Sequence, residues 1–167
     1  MKIYTIIAGV NGVGKSSFFG VLCVIRSDVG ILIDENQINS SIEKGINFTQ
    51  ETTLSGSKTL RTIKQAREHD YYIRLYYIGV NSAQESIKRI SNRVEKGGHD
   101  IPTEDVLRRY NKRFDDLIAV LPYCNEVKFY DNENGFVEKA EYKNGLLIIK
   151  GNNIPVWLKE LENRLAK

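Results

Sequence analysis

The sequence predicts a single α/β domain, a parallel sheet flanked by helices with a small β-hairpin and a helix appended at its C-terminal end. Three observations predict it. Short β-branched and aromatic runs alternate with helical patterns as far as Tyr130. A glycine-rich loop, Gly9-Val10-Asn11-Gly12-Val13-Gly14-Lys15-Ser16, joins the first run to the first helical stretch. After the alternation ends, Asn144-Gly145, a favoured hairpin dipeptide, separates two further β-like runs. A chain of 167 residues holds one domain with a substantial core, so residues 1–167 are read as one unit.

Residues 3–8 are apolar with almost no polar interruption, the pattern of a central parallel strand buried on both faces. Residues 15–25 are apolar nearly all round and predict a buried helix. A short strand follows at 30–33 and a weaker one at 46–50, and 57–68 read as a helix. The strongest strand is 71–80. Residues 82–96 and 103–120 are amphipathic helices separated by Gly97-Gly98-His99-Asp100-Ile101-Pro102. Pro102, Glu104 and Asp105 suit the start of the second, where an N–H is dispensable and negative charge is favoured. Residues 126–130 end the alternation; 136–142 and 146–149 form the hairpin, and 155–165 the closing helix. The sequence contains no internal repeat, low-complexity tract or interdomain linker.

Hydrophobic residues make up 41% and charged residues 27%, ordinary for a globular protein, and the net charge is +3. Nothing in that balance demands a nucleic-acid or membrane partner. Basic residues are nevertheless bunched at Arg89, Arg93, Arg108, Arg109, Lys112 and Arg113. Such a run is usually a solvated helix face, but beside a phosphate site a functional reading gains weight. Cys23 and Cys124 form no disulfide framework and lack metal-ligand spacing; each is expected to pack as a small apolar residue. The apolar N-terminal run is short and ends in the glycine loop, and no segment approaches transmembrane length, so a cytoplasmic protein is expected.

The loop between strand and helix has the P-loop pattern. Its glycines let the chain turn so that backbone N–H groups converge on phosphate oxygens at a helix N-terminus. Gly9, Asn11, Gly12, Val13, Gly14, Lys15, Ser16 and Ser17 are therefore candidate triphosphate-binding residues. Lys15 is placed to neutralise the β- and γ-phosphates and Ser16 to ligate Mg²⁺. No second apolar strand ends in aspartate; residues 71–79 end without an acid. The useful carboxylate is Glu51, after a β-like run, where an open α/β sheet turns side chains into the ligand crevice. Its bland alternative is a surface-loop glutamate. Arg93 and Arg109 flank the Gly97-Gly98 pair. Arginine suits the charge that spreads over a transferring phosphoryl group, and a glycine hinge between such helices predicts a lid over about residues 82–120. His99, taken alone, reads more readily as a solvent-exposed bystander than as a ligand.

Taken in order, these segments resemble the zeta-toxin-like P-loop kinases of bacteria. The resemblance rests on Thr5-Ile6-Ile7-Ala8 with the P-loop, Gln50-Glu51-Thr52-Thr53-Leu54-Ser55-Gly56, the stretch from Arg93 through Gly97-Gly98-His99 to Pro102, Arg108-Arg109-Tyr110, and Tyr130-Asp131-Asn132. It implies a P-loop NTPase fold with a nucleoside/shikimate-kinase-like sheet, and transfer of the ATP γ-phosphate to a hydroxyl. The implied acceptor is the sugar 3′-hydroxyl of UDP-N-acetylglucosamine, and the implied protein partner is an antitoxin. Carried over, Lys15 and Ser16 hold phosphate and Mg²⁺, Glu51 lies in the substrate site beside the metal, Arg93 and Arg109 clamp phosphate, and Tyr130 to Asn132 approach adenine.

The chain also departs from that pattern. Where relatives carry Asn-x-Asp-Glu after the second strand, this sequence has Asp34-Glu35-Asn36-Gln37, with asparagine in place of the base. Asp34, expected on the same face of a regular strand, is the candidate replacement. The next crossover, residues 34–45, is short, with room between Asn36 and Lys44 for about two helical turns, roughly 13 Å. These departures favour a second reading, an ATP-binding module without transfer that acts through a protein partner. A polynucleotide kinase ranks last, given the small net charge.

Overall fold

The computed structural model describes residues 1–167. A seven-stranded sheet runs through it in the order β2-β3-β1-β4-β5-β6-β7. Strands β1 (Lys2–Ala8), β2 (Ile31–Leu32), β3 (Phe48–Thr52), β4 (Tyr71–Gly79) and β5 (Glu126–Asp131) are mutually parallel. The hairpin strands β6 (Val137–Lys143) and β7 (Leu146–Ile149) continue the sheet antiparallel. The fold is therefore the parallel α/β sheet with an appended hairpin that the alternation predicts. Between and around the strands run α1 (Lys15–Ile25), α2 (Ile38–Lys44), α3 (Lys58–Glu68), α4 (Ala83–Glu95), α5 (Thr103–Val120) and α6 (Val156–Leu165).

β1 lies between β3 and β4 at the middle of the five parallel strands, with no charged side chain beyond Lys2, and its two faces feed separate cores. Tyr4, Ile6 and Ala8 join a larger cluster with residues of α3, α5 and α6, including Ile63, Leu117 and Leu161. Ile7 joins a smaller cluster under α1 with Val13, Phe18 and Leu22. Because α1 meets the sheet along one stripe, only Phe18 and Leu22 of its apolar residues are buried. Val21, Val24 and Ile25 stand exposed, so the buried helix expected from composition is half exposed instead. Cys23 lies on that outer side and is exposed, a correction to the packed thiol expected. Cys124 does pack: its thiol donates to the Val120 carbonyl at 3.4 Å, and burial pushes its pKa up to about 12.

The third strand starts two residues later than its pattern suggests. Tyr4 and Phe48 are register partners with rings 4.6 Å apart, while Asn47 is drawn off to accept from the Ile3 N–H at 2.9 Å. That shift places Glu51 within β3 rather than after it. The short crossover holds a 3-10 turn (Glu35–Gln37) and the seven-residue α2, which ends at Gly45 in the left-handed region. Arg74, 2% exposed in β4, is held by Asp28 at 3.0 Å and Glu126 at 3.2 Å. Hydrogen bonds from Arg26 and Arg74 hold the Asp28 carboxyl well below the usual range. This charge cluster, built on the buried Arg74, ties β4 to β5.

Trp157 closes the sheet from α6. It is fully buried, its indole N–H donates to Asp131 Oδ1 at 2.8 Å, and its ring lies against the bare backbone of Gly79. A Cβ at Gly79 would fall 2.1 Å from the indole. Gly79→Ala is therefore expected to destabilise the fold by about 1–3 kcal/mol through overpacking. A urea titration would show a lower midpoint at unchanged slope, and an unchanged midpoint would contradict the contact.

Candidate functional site

The P-loop leaves β1 at Gly9, whose N–H donates to the Thr52 carbonyl at 3.3 Å. Gly9, Gly12 and Gly14 adopt φ of 150°, 80° and 98°, a region side chains avoid. Space excludes side chains as well: a Cβ at Gly9 would sit 2.5 Å from the Ile78 carbonyl oxygen, and one at Gly14 would sit 2.8 Å from Asn132 Nδ2. These backbone conformations open the loop at the N-terminus of α1.

Lys15 folds back into the loop and donates to the carbonyls of Gly9 at 2.9 Å and Val10 at 3.1 Å. Burial lowers its pKa to about 8; nearby Glu51 pulls upward, and Arg93 and Arg109 push further down. On the reading that protonated Lys15 neutralises phosphate, ATP affinity is expected to fall as pH rises through about 8. With binding confined to the protonated fraction, affinity at pH 9 is about tenfold weaker than at pH 7. Calorimetric titration across that range checks it, and a flat profile would contradict it.

Glu51 projects from β3 in register with Ile7 of β1. Ser16 Oγ donates to Glu51 Oε2 at 2.9 Å, while Glu51 Oε1 is buried without a partner. The acid beside the P-loop serine is thus Glu51, the carboxylate the sequence singles out, and it comes from β3, one of the two strands that flank β1. Only sheet order reveals that neighbour. The Ser16 hydroxyl, its hydrogen directed to a carboxylate, fits Mg²⁺, which keeps several waters and needs few protein ligands when it rides on phosphates.

Two helices bear on the loop from above. Ser86 Oγ of α4 donates to the Asn11 carbonyl, and Arg109 of α5 donates to Asn11 Oδ1 at 3.0 Å, leaving its own Nε buried without a partner. Arg89 reaches Glu85 and the Asn132 carbonyl, each at 2.7 Å, and Arg93 donates to the His99 carbonyl at 2.9 Å. Arg89 and Arg93 line, with Asn11, Lys15, Ser16 and Glu51, a cavity of about 340 Å³ over the loop. Neither Arg89 nor Ser86 is marked as a site residue by the sequence alone, although Arg89 stands four residues before Arg93 and so on the same helix face.

The glycine pair ends α4. Gly97 takes φ 89°, and the Gly98 N–H returns to the Arg93 carbonyl at 2.9 Å. A Cβ at Gly98 would press on the Arg93 stem at 2.5 Å. These residues therefore set the position of Arg93, and the His99 side chain is exposed.

Other sequence candidates fall elsewhere. Asp34 is not on a regular strand, because β2 ends at Leu32; its carboxylate accepts from the Asn36 N–H at 3.0 Å and caps the 3-10 turn. The expected same-face placement of Asp34 on a strand is corrected accordingly, and Asn36 lies exposed in that turn. Tyr130 packs its ring against Phe18 at 4.8 Å and donates its hydroxyl to Glu138 at 3.3 Å, away from the loop cavity. Asp131 holds Trp157. Asn132 braces the loop, donating to the Val13 carbonyl at 3.0 Å. Ser17 is exposed at the cavity edge. The basic run divides: Arg113 is buried against Tyr110 and Phe114 and pairs with Glu160 at 2.6 Å, and Arg108 pairs on the surface with Asp105.

A chain of the PezAT chromosomal toxin-antitoxin system of Streptococcus pneumoniae superposes with a TM-score of 0.65 at 14% identity, covering 99% of this chain and 83% of that one. This is a zeta-toxin-like fold. The AvrRxo1-ORF1:AvrRxo1-ORF2 complex, solved with sulphate ions and with ATP, is similar at a TM-score of 0.61 and 13% identity, over 99% of this chain and 63% of that one. An uncharacterized protein of Haemophilus influenzae is 40% identical over 70 residues, 42% of this chain and 50% of its own length. The match thus spans half of that curated relative. No protein-family model matches the chain. No helix of this zeta-toxin-like fold is long and apolar enough to cross a membrane.

Proposed function

We propose that this chain binds ATP and transfers its γ-phosphate to a hydroxyl of a small molecule. The observation that carries this is the Ser16–Glu51 pair, which sets a carboxylate with one free, buried oxygen at the mouth of a P-loop lined by arginines. The ATP-bound structure sharing this fold supports the nucleotide.

In this mechanism the loop N–H groups and Lys15 hold the β- and γ-phosphates, Lys15 exchanging its carbonyl contacts for phosphate oxygens. Arg89 and Arg93 face the same cavity and oppose the charge that spreads over the γ-phosphoryl group; Arg109 positions Asn11 at the loop tip. Ser16, its hydrogen held by Glu51 Oε2, would hold Mg²⁺, and the ion would supply positive charge to the phosphates. The acceptor oxygen bonds to the γ-phosphorus as the bond to ADP oxygen breaks, and the hydroxyl proton passes to Glu51. Residues 82–120 act as the cover of the site, with 136–165 as its C-terminal support. Incubation with ATP, Mg²⁺ and an acceptor panel that includes UDP-N-acetylglucosamine, read by mass spectrometry for a phosphorylated product, tests the reading. ATP binding without any product would sink it.

A second reading is an ATP-binding module acting through an antitoxin-like protein partner in the cytoplasm. Its support is the acceptor segment, where Asn36 replaces a carboxylate and Asp34 is engaged as a cap. A gain of transfer in Asn36→Asp over an inactive parent would favour it.

A further inference from the structure

The loop that follows β5 lies against the P-loop. Asn132, half-buried, donates its side-chain amide to the Val13 carbonyl at 3.0 Å. A Cβ on Gly14 would fall 2.8 Å from that amide nitrogen and 3.4 Å from the Phe136 ring, so both side chains close on the P-loop where it has none. The segment is anchored on either side of Asn132. Asp131 accepts from the Trp157 indole at 2.8 Å and from the Glu133 N–H at 3.3 Å, and Phe136 packs against Phe18 at 5.0 Å.

A planar trans peptide points its carbonyl and its N–H in opposite directions. Holding the Val13 carbonyl on Asn132 therefore turns the Gly14 N–H away from Asn132, and Gly14 lines the P-loop cavity. That N–H donates to no backbone carbonyl. The main chain of Asn132 acts on the same cavity from a second side. Its carbonyl accepts from Arg89 at 2.7 Å, while Glu85 holds the same guanidinium at 2.7 Å. The two contacts thus fix two groups of the cavity wall, the Gly14 backbone and the Arg89 cation.

We propose that Asn132 is a positioning residue for the triphosphate: it orients the Gly14 N–H, couples the P-loop to Arg89, and takes no part in reading the base. This rests on the ATP-binding reading above. It departs from the approach to adenine that the resemblance implies for this segment. Backbone N–H groups and an arginine grip phosphate oxygens, which every nucleoside triphosphate carries. A residue that sets those groups changes the hold on all triphosphates alike and leaves the choice among bases untouched, because specificity is a difference of affinities.

Parent and Asn132→Ala are titrated calorimetrically at pH 7 with ATP, GTP and inorganic tripolyphosphate, each with Mg²⁺, and transfer from ATP is followed separately. All three ligands are expected to weaken by one common factor, about three- to tenfold, the worth of one neutral hydrogen bond. Asn132→Asp keeps the shape of the side chain but sets a carboxylate against the Val13 carbonyl, and is expected to weaken all three further. In a cycle with Arg89→Ala, the double variant is expected to lose less than the product of the single losses, since part of the effect passes through Arg89. A residue that only supports the fold gives the product. Loss confined to ATP, unchanged affinity for all three, or single losses that multiply would each overturn the inference and leave the kinase reading standing. Equal weakening in a protein that phosphorylates no acceptor would uphold the inference and sink the kinase reading. A parent that binds none of the three would sink both.

Discussion

Lys15→Ala is expected to lower phosphoryl transfer by roughly 10²–10³-fold, the usual cost of removing one preorganised charge from a phosphoryl or oxyanion site. The expectation follows from where the ammonium sits. It is held by the Gly9 and Val10 carbonyls inside the loop, with Arg93 and Arg109 close enough to lower its pKa further. No other lysine lines the cavity, and the arginines approach from its far wall on α4. Alanine removes the charge nearest the loop backbone without disturbing the glycines that shape the loop. Single-turnover ADP formation reads the loss at saturating ATP, and far-ultraviolet circular dichroism checks the fold. Turnover within about threefold of the parent would remove the loop from the chemistry, since oxyanion-type contacts cost far more than that.

Glu51→Gln is expected to cost about 10²–10⁴ in transfer while leaving ATP bound, the range typical of a lost general base. Glutamine still accepts from Ser16, so the link between β3 and the loop survives. What changes is the second position, where the free Oε1 becomes an N–H₂ that takes no proton. The separation of effects is the informative part. Loss of ATP affinity equal to the loss of turnover would assign Glu51 to nucleotide holding alone, whereas loss of turnover at constant affinity assigns it to proton removal.

The two halves of this site differed in how well residue order exposed them. Gly9 to Ser16 form a contiguous motif whose geometry is local: glycines with positive φ, a lysine and a hydroxyl at a helix start. Such a site is legible because neighbours in sequence are its neighbours in space. Glu51 was recognisable as a strand-end acid, and only the family resemblance set it with Ser16 at one metal; the hydrogen bond between them spans 35 positions and belongs to the fold. Arg89 and Ser86 were harder still, since an amphipathic helix displays its face without stating what covers it. Asp34 was misplaced because a strand ending at Leu32 and a tight turn compete for the same short stretch, and the turn won by capping. Of the bunched cations, Arg113 went to the core and Arg108 to the surface, although nothing in their spacing distinguishes them.

Residue order by itself determined the alternation of strands and helices, the central apolar strand, the P-loop with its lysine and serine, the hairpin turn and the brevity of the crossover. All of these depend on side-chain periodicity or on backbone conformations that few residues tolerate, and both are properties of short segments. Only the tertiary structure decided that β3 lies beside β1, which brings Glu51 to Ser16, and that Asp34, Glu35 and Glu51 line one cavity. It also decided that α1 keeps an exposed apolar side. Strand order and helix orientation are set by the packing of the whole chain, through contacts between residues far apart in sequence. No local pattern records them.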